Sequence, residues 1–496
     1  MLVLLLASFL RLYRLDLMEF KDDEAQAAFL VVQALEGERF PIHGLMSSVG
    51  IYNSPVFIYL LLLPGIFSLE PVSFCYFIAL LNIGAVFLCY WFGRKIFNPW
   101  VGQVAALFFA VSPWAIIYSR KIWAQDCLPL FSLLLMGGLY ELCVNGDRRW
   151  FLPAALSAVL MPGIHFSGFI AVAVFVLFVG VCRVRVDWKA WLVVGVVSAG
   201  AYLPYLLKHW STGRMGSGLS LERFSMNALV YPVQISSHFN FDYLLGSSSD
   251  AFREFLTPPI FWLVTLTGFV ISLLFMGGFV WLTLLLYRER KDSSKPFWDY
   301  FRSNSGRSLC WIWTALPLVG FLVLSIDKSI FPHYFIILYP VQFWLVAAFL
   351  DAVCRNGTMK YRRAVSSAVV VFALVEALFM IRFLHFVGTE GGAAGDYGVA
   401  YVQKREAAAY IAGSCKEDKT APVLFSDSKR SLLDYQYLIS LDGAGTSGDG
   451  NAIRKILIVE DFKNAPKIEG ALSEKSFGPV RVAHLEDVQL NERRPE

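Results

Sequence analysis

Leu2-Val3-Leu4-Leu5-Leu6-Ala7-Ser8-Phe9-Leu10, closed by Arg11 and Arg14 and followed by Glu19-Phe20-Lys21-Asp22-Asp23-Glu24, sets the reading of the whole chain. The apolar run has no basic stretch before it and no small-residue cleavage site after it. It therefore reads as a short first membrane helix and not as a removable signal. The acidic segment then stands at a membrane boundary. Carboxylates beside hydrocarbon are costly unless they are solvated, paired or used in chemistry, which makes Asp23 and Glu24 the first candidates for a catalytic base.

Working outward, apolar runs recur from Leu2 to about Val387, in a chain of 496 residues that is 56% hydrophobic and 17% charged. At roughly 20 apolar residues per crossing, the pattern predicts a polytopic α-helical membrane protein of about eleven spans. They fall near residues 1–14, 73–93, 100–119, 127–144, 150–164, 167–182, 190–207, 259–287, 309–326, 334–353 and 364–387. Pro55 to Phe67 is apolar but too short to cross, and reads as a surface or re-entrant helix. One alternating set of loops is basic throughout, from Arg94 and Lys95 to Arg355, Lys360, Arg362 and Arg363, and is therefore cytoplasmic. The other set holds residues 15–72, 120–126, 165–166, 208–258 and 327–333, and lies outside together with the tail. Residues 1–387 read as the membrane domain. Residues 388–496 read as a small soluble α/β domain on the outer face, with Gly391–Gly398 as a hinge. In that domain Lys404–Ile411 and Leu432–Ile439 read as helices, and Pro422–Ser426 and Ile456–Val459 as buried strands. The expected location is a bacterial cytoplasmic membrane, with the site on the periplasmic side.

Several classes drop out. A net charge of +4, scattered along the chain, does not suggest nucleic-acid binding. There is no Walker loop, GxSxG, HExxH or dinucleotide fingerprint, and the eight cysteines show no metal-finger spacing. Nucleotide-activated donors are not expected on the outer face, so synthetic chemistry there needs a donor already carried across the membrane.

The outer loops gather the remaining polar chemistry. Asp22 to Leu35 is amphipathic helix material that Asp22 or Asp23 can cap. The turn Ser119-Arg120-Lys121-Ile122-Trp123-Ala124-Gln125-Asp126 holds Asp126 near the bilayer, beside an Arg-Lys pair suited either to a lipid phosphate or to interfacial anchoring. His165 sits in a tight turn, as a phosphate or metal ligand or a structural residue. Lys328, His333 and Tyr334 stand at the start of a late span. The loop of residues 208–258, opening Lys208-His209-Trp210, reads as an acceptor-binding loop or lid.

Asp23-Glu24-Ala25, Ser119-Arg120 with Asp126, and Lys328 with His333-Tyr334 followed by Leu338-Tyr339-Pro340 together resemble the GT-C class of membrane glycosyltransferases, in the branch of protein O-mannosyltransferases and aminoarabinose transferases. Tyr52-Asn53-Ser54-Pro55 and Gly163-Ile164-His165 fit loosely. The resemblance covers roughly residues 1–350. It implies an inverting transfer from a polyprenyl-phosphate sugar to an outer-face glycan, lipid or protein acceptor. By position, Asp23 is the general base, with Glu24 and Asp126 beside it in the pocket. Arg120, Lys121, Lys328, His333 and Tyr334 hold the leaving phosphate, and His165, Tyr52, Asn53 and Tyr339 line the substrate. The family implies no certain cofactor, and a divalent metal remains open. The competing readings are a flippase for lipid-linked saccharides, which would place ionisable groups mid-span where this sequence has almost no acids, and a non-catalytic envelope scaffold.

Overall fold

About 20 apolar residues in helical conformation are needed to cross the hydrocarbon core. Each of the eleven apolar segments is helical in the computed structural model, which describes residues 1–47, 50–209, 225–326, 329–355, 357–426, 431–443, 452–462, 468 and 470–485. Length and composition qualify six of these helices as spans: Pro71–Ile96, Ala124–Cys143, Trp188–Leu207, Pro258–Lys291, Ser305–Leu324 and Met359–Glu390. Pro332–Leu338 with Val341–Arg355 is a seventh if the pair, bent by 60°, is one span. Among the described residues, length and composition alone do not confirm the expected count of eleven. Leu2–Leu12 and Phe166–Val181 are shorter apolar helices, and Phe151–Ile164 runs for 14 residues. The 100–119 segment is broken into Pro99–Val111 and Pro113–Tyr118. The break has a local cause. Proline lacks a donor and pushes the residue before it out of the helical region, and Ser112 sits there at ψ 120°. Val56–Gly65 is the expected short apolar helix.

The spans sort by face. Trp188–His209 leaves Leu192, Val196, Leu203 and Leu207 exposed, as a lipid-facing helix does, whereas Leu128–Cys143 is packed inside the bundle. The spans are not as free of acids as the sequence reading supposed. Glu376, midway along Met359–Glu390, is buried; Thr267 Oγ1 donates to its Oε1 at 2.9 Å, and His238 Nδ1 lies 3.4 Å from the same oxygen.

Beyond Glu390 the Gly-rich run forms a tight hairpin and not a hinge. Strand β1 (Gly392–Ala393) pairs antiparallel with β2 (Gly398–Val399). Gly391, Gly392 and Gly398 supply φ values of +74°, +149° and +72°, so here glycine serves positive-φ geometry that other residues avoid. Helix Tyr401–Glu417 follows, then β3 (Thr420–Ser426), helix Leu433–Leu441, β4 (Ala452–Glu460), β5 (Ala471–Phe477) and β6 (Val480–Leu485). The sheet order is β3-β4-β6-β5, with β3 and β4 parallel and the rest antiparallel. The two expected strands lie in β3 and β4. Strand β5 is too polar and exposed to have been read as a strand.

This C-terminal part grips the loop that follows the first helix. Glu19 bridges Ala400, and the Tyr401 N–H donates to Met18 O at 2.9 Å. Tyr397 OH donates to Leu17 O, and Lys404 Nζ donates to Phe20 O at 2.9 Å. The backbone of Leu17–Phe20, directly before the acidic helix, is thus held from outside. In the long outer loop the helices Asn227–Gln234, Asp242–Leu245 and Ser249–Leu256 are described, whereas the opening stretch 210–224 lies outside the described residues.

Candidate functional site

The helix Asp22–Leu35 begins with three acids in its first turn, where the helix dipole favours negative charge. The cap is not Asp22 or Asp23, as the sequence suggested. Glu24, three residues past the N-cap Lys21, accepts the Lys21 backbone N–H at 3.0 Å through its Oε2. That assignment decides the site. Glu24 is buried by its capping duty, while Asp23 is exposed and its carboxylate has no hydrogen bond or ion pair among the described residues.

Beside the cap lies a buried charge cluster. Lys121 Nζ stands 2.8 Å from Glu19 Oε2 and 3.8 Å from Glu24 Oε1, and 3.5 Å above the Trp123 ring. Lys21 Nζ reaches the same Glu19 oxygen at 2.9 Å. Burial pushes Glu19 up, but the two ammonium groups more than reverse this and hold it below the ordinary carboxylate range. Burial depresses Lys121, and Glu19 and Glu24 outweigh that, leaving it above its usual value. Burial raises Glu24, only partly offset by Lys121 and Lys21. Glu19 was quoted in the acidic segment but not read as functional. The available signal was its place between the apolar Met18 and Phe20, where a carboxylate must face either solvent or a partner.

Asp23 lines a cavity of about 280 Å³ together with Asn53, Trp123, His165, His333 and Tyr334. His165 Nδ1 accepts from the Ser167 backbone N–H at 3.2 Å and meets Ser167 Oγ at 2.8 Å. The ring proton therefore sits on Nε2, a donor toward the cavity. Burial pulls His165 down to about 4, so it is neutral at physiological pH. His333 lies flat on Phe331, with centroids 5.6 Å apart, and its edge meets Trp123 at 5.2 Å and His165 at 6.3 Å. Asn53 donates to Leu45 O at 3.1 Å, and its Oδ1 is buried without a partner among the described residues.

Other expected residues are employed elsewhere. Arg120 is buried and directs its guanidinium at backbone carbonyls of Arg11 (3.0 Å), Tyr13 (2.8 Å) and Arg14 (2.6 Å), satisfying the open C-terminus of Leu2–Leu12. Tyr339 is buried away from the cavity; its OH donates to Ile235 O at 2.9 Å and its ring stacks on Phe343. Tyr52 packs on His43 at 4.3 Å, and its carbonyl accepts from Tyr205 OH. Asp126 is buried next to Ala124 and Gln125, which line the cavity, and its carbonyl accepts from Asn82 Nδ2 at 2.9 Å. Lys328 lies outside the described residues. Among the described residues no three His, Cys, Asp or Glu side chains converge as a metal site. Arg120→Ala leaves the last carbonyls of the first helix unpaired, so it is expected to lower the unfolding temperature in detergent while donor affinity in the surviving protein stays within about twofold. A selective loss of donor affinity would return Arg120 to phosphate binding.

No protein-family model and no curated protein sequence matches the chain. Its fold does match solved structures. ArnT from Cupriavidus metallidurans in the apo state superposes with a TM-score of 0.59 at 13% identity, covering 97% of both chains. The same enzyme bound to undecaprenyl phosphate gives 0.51 at 13% identity over the same coverage. The Archaeoglobus fulgidus oligosaccharyltransferase, in complex with Zn and sulfate, gives 0.51 at 15% identity, covering 90% of this chain and 61% of that one. Both neighbours are GT-C fold glycosyltransferases, and this chain has their fold.

Proposed function

We propose that the chain is an integral-membrane glycosyltransferase that moves a sugar from a polyprenyl-phosphate donor to a hydroxyl-bearing glycan, lipid or protein acceptor on the periplasmic face, with inversion. The observation that carries this reading is Asp23. It is exposed, and among the described residues its carboxylate has no partner, while it stands on a cavity walled by neutral imidazole, amide and aromatic groups. The GT-C fold, with a neighbour that binds undecaprenyl phosphate, supports the donor class. The basic cytoplasmic loops support the side.

In this mechanism the donor sugar occupies the cavity against Asn53 and the aromatic walls. The acceptor oxygen attacks the anomeric carbon while Asp23 takes the hydroxyl proton. The bond from that carbon to the phosphate oxygen breaks, and polyprenyl phosphate leaves. Its growing charge is met by the His165 Nε2–H and by His333, fixed donors in a confined site. Arg120 and Lys121 act by holding the loop and not by touching phosphate. His165→Ala is expected to lower kcat by about 10²-fold. Because His165 is neutral well below pH 7, the pH profile of turnover is expected to show no step near about 6.5 that His165→Gln removes. Such a step would show that His165 titrates during catalysis.

The test is mass spectrometry of the purified protein with a panel of polyprenyl-phosphate sugars. Loss of one sugar from its lipid establishes the activity and names the donor. One observation favours a second reading, a flippase: the mid-span Glu376 with His238 and Thr267. Movement of a fluorescent lipid-linked saccharide across proteoliposomes, abolished by Glu376→Gln and unaffected by Asp23→Asn, would establish it.

A further inference from the structure

The cysteines do not share one environment. Cys75, Cys89, Cys127, Cys310, Cys354 and Cys415 are buried, where a thiol behaves as a small hydrophobe, whereas Cys143 and Cys182 are half-buried. These two also meet each other. Cys143 ends the helix Leu128–Cys143, and Cys182 caps the helix Phe169–Val181. The Cys143 thiol donates to Phe178 O at 3.8 Å, the same carbonyl that accepts the Cys182 backbone N–H at 2.9 Å. With both residues gathered on one carbonyl, the two thiols lie within hydrogen-bonding reach of each other.

The surroundings favour chemistry at Cys182. Its Sγ meets Ser305 Oγ at 4.0 Å, and Arg302 Nε donates to the adjoining carbonyl of Val181 at 2.8 Å. Arg302 Nη1 is held at 2.8 Å by Asp299, which fixes the guanidinium beside the thiol. The thiolate is the reactive form of cysteine, and a neighbouring cation and hydroxyl support it. Partial exposure admits a small oxidant, and a second thiol in reach resolves the first oxidation product before it goes further.

The pair stands at the end of the bundle that carries Arg148, Arg149, Arg183 and Arg185. On the orientation proposed above this is the cytosolic end, where thiols are kept reduced and a disulfide is a transient, redox-sensing state. The opposite ends of the same two helices frame the cavity. Ala124 and Gln125 lead into Leu128–Cys143, and His165, Phe166 and Ser167 lead into Phe169–Val181.

We infer that Cys143 and Cys182 are a peroxide-sensitive dithiol, and that their reversible disulfide staples the inner ends of the two helices whose outer ends wall the cavity. The Cys182 thiolate attacks one oxygen of hydrogen peroxide, the O–O bond breaks and water leaves, giving a sulfenic acid. The Cys143 sulfur then attacks the Cys182 sulfur, the S–O bond breaks and a second water leaves. The two thiols lose two electrons and two protons, and one peroxide is reduced to two waters. A thiol reductant reverses the step by exchange.

The test is a peptide map of the full chain in nanodiscs after exposure to hydrogen peroxide, with remaining thiols blocked by a maleimide under denaturing conditions. The expected result is a peptide pair joining Cys143 to Cys182, released by dithiothreitol, with the six buried cysteines labelled as before. It is expected to form at least about tenfold faster than any buried cysteine oxidises. In Cys143→Ser, Cys182 has no resolving thiol and is expected to advance to sulfinic acid, which dithiothreitol does not reverse. A wild-type map with both thiols still labelled, with Cys182 overoxidised and no cross-link, or with a buried cysteine consumed first would overturn the pair, and none of these readings needs a variant. The staple is read by amide hydrogen exchange at Ala124–Cys127 and Phe166–Gly168, expected to slow by about fivefold on oxidation of the wild type and not of Cys143→Ser. A cross-link that leaves this exchange unchanged would overturn the coupling to the cavity. Neither readout depends on turnover, so failure of the transferase reading leaves both outcomes standing.

Discussion

Asp23→Asn is expected to lower transfer by about 10³-fold while donor affinity stays within about twofold and the unfolding temperature does not move. Positioned general bases contribute typically about 10² to 10⁴ in rate, and inversion in one displacement has no covalent intermediate to fall back on. The amide is close to isosteric with the carboxylate and can still hydrogen-bond the acceptor, but it cannot take the proton. Stability is unaffected because Asp23 caps nothing: Glu24 holds the Lys21 N–H, and Asp23 is exposed without a described partner. The contrast with Glu24→Gln makes the test specific. An amide at position 24 can still accept the Lys21 N–H but removes a charge facing Lys121, so that variant is expected to lose stability before activity. Single-turnover rates with a donor identified by mass spectrometry, beside calorimetric unfolding, separate the two. An Asp23→Asn enzyme with near-normal turnover would remove Asp23 as the base.

The apolar periodicity made the helices legible, because each needs only local sequence to declare itself. It did not settle how many of them cross, since short helices such as Leu2–Leu12 and broken ones such as Pro99–Val111 with Pro113–Tyr118 depend on their neighbours for depth. The acidic segment drew attention to the helix turn that stands on the cavity, but the division of labour inside it was not readable. Whether Asp22, Asp23 or Glu24 caps the helix is decided by a fraction of a turn. Arg120 and Lys121 looked like phosphate ligands because their residue types are right for it; one caps a helix and the other meets Glu19, both through contacts about a hundred residues away in sequence. The glycines at 391, 392 and 398 have two readings, freedom or positive φ, and only the tertiary fold chooses. Glu376 carried a usable signal, a lone carboxylate in a long apolar run.

Lys121→Met is expected to be among the most destabilising single changes around the acidic segment, by about 3–5 kcal/mol, because it strips the buried cation from a buried Glu19 and leaves that charge only the partly exposed Lys21. Glu19 and Lys121 are both almost fully buried and meet at 2.8 Å; Lys21, the other cation on Glu19, is partly exposed and shared with Asp396. Removing both members of a buried pair costs far less than removing one. The double variant Glu19→Gln with Lys121→Met is therefore expected to recover a large part of the loss, with a coupling energy of about 1–3 kcal/mol. Additive single and double variants in detergent unfolding would show that the pair is not coupled. The pH dependence follows from the directions of the shifts. Glu19 is held below its unfolded value, so its contribution is complete above about pH 4.3 and fades as the pH falls through the lower folded value. Lys121 is held above its unfolded value, so its contribution is complete below about pH 10.4 and fades only in stronger base. Wild-type stability from this pair is thus flat across neutral pH and drops in acid, and the acid limb is expected to shrink in the double variant. Since the pair stands between the Lys21 cap and Trp123, which lines the cavity with Asp23, the same acid limb is expected in donor turnover. An acid limb in turnover that persisted unchanged in the double variant would show that the Glu19–Lys121 pair does not carry it.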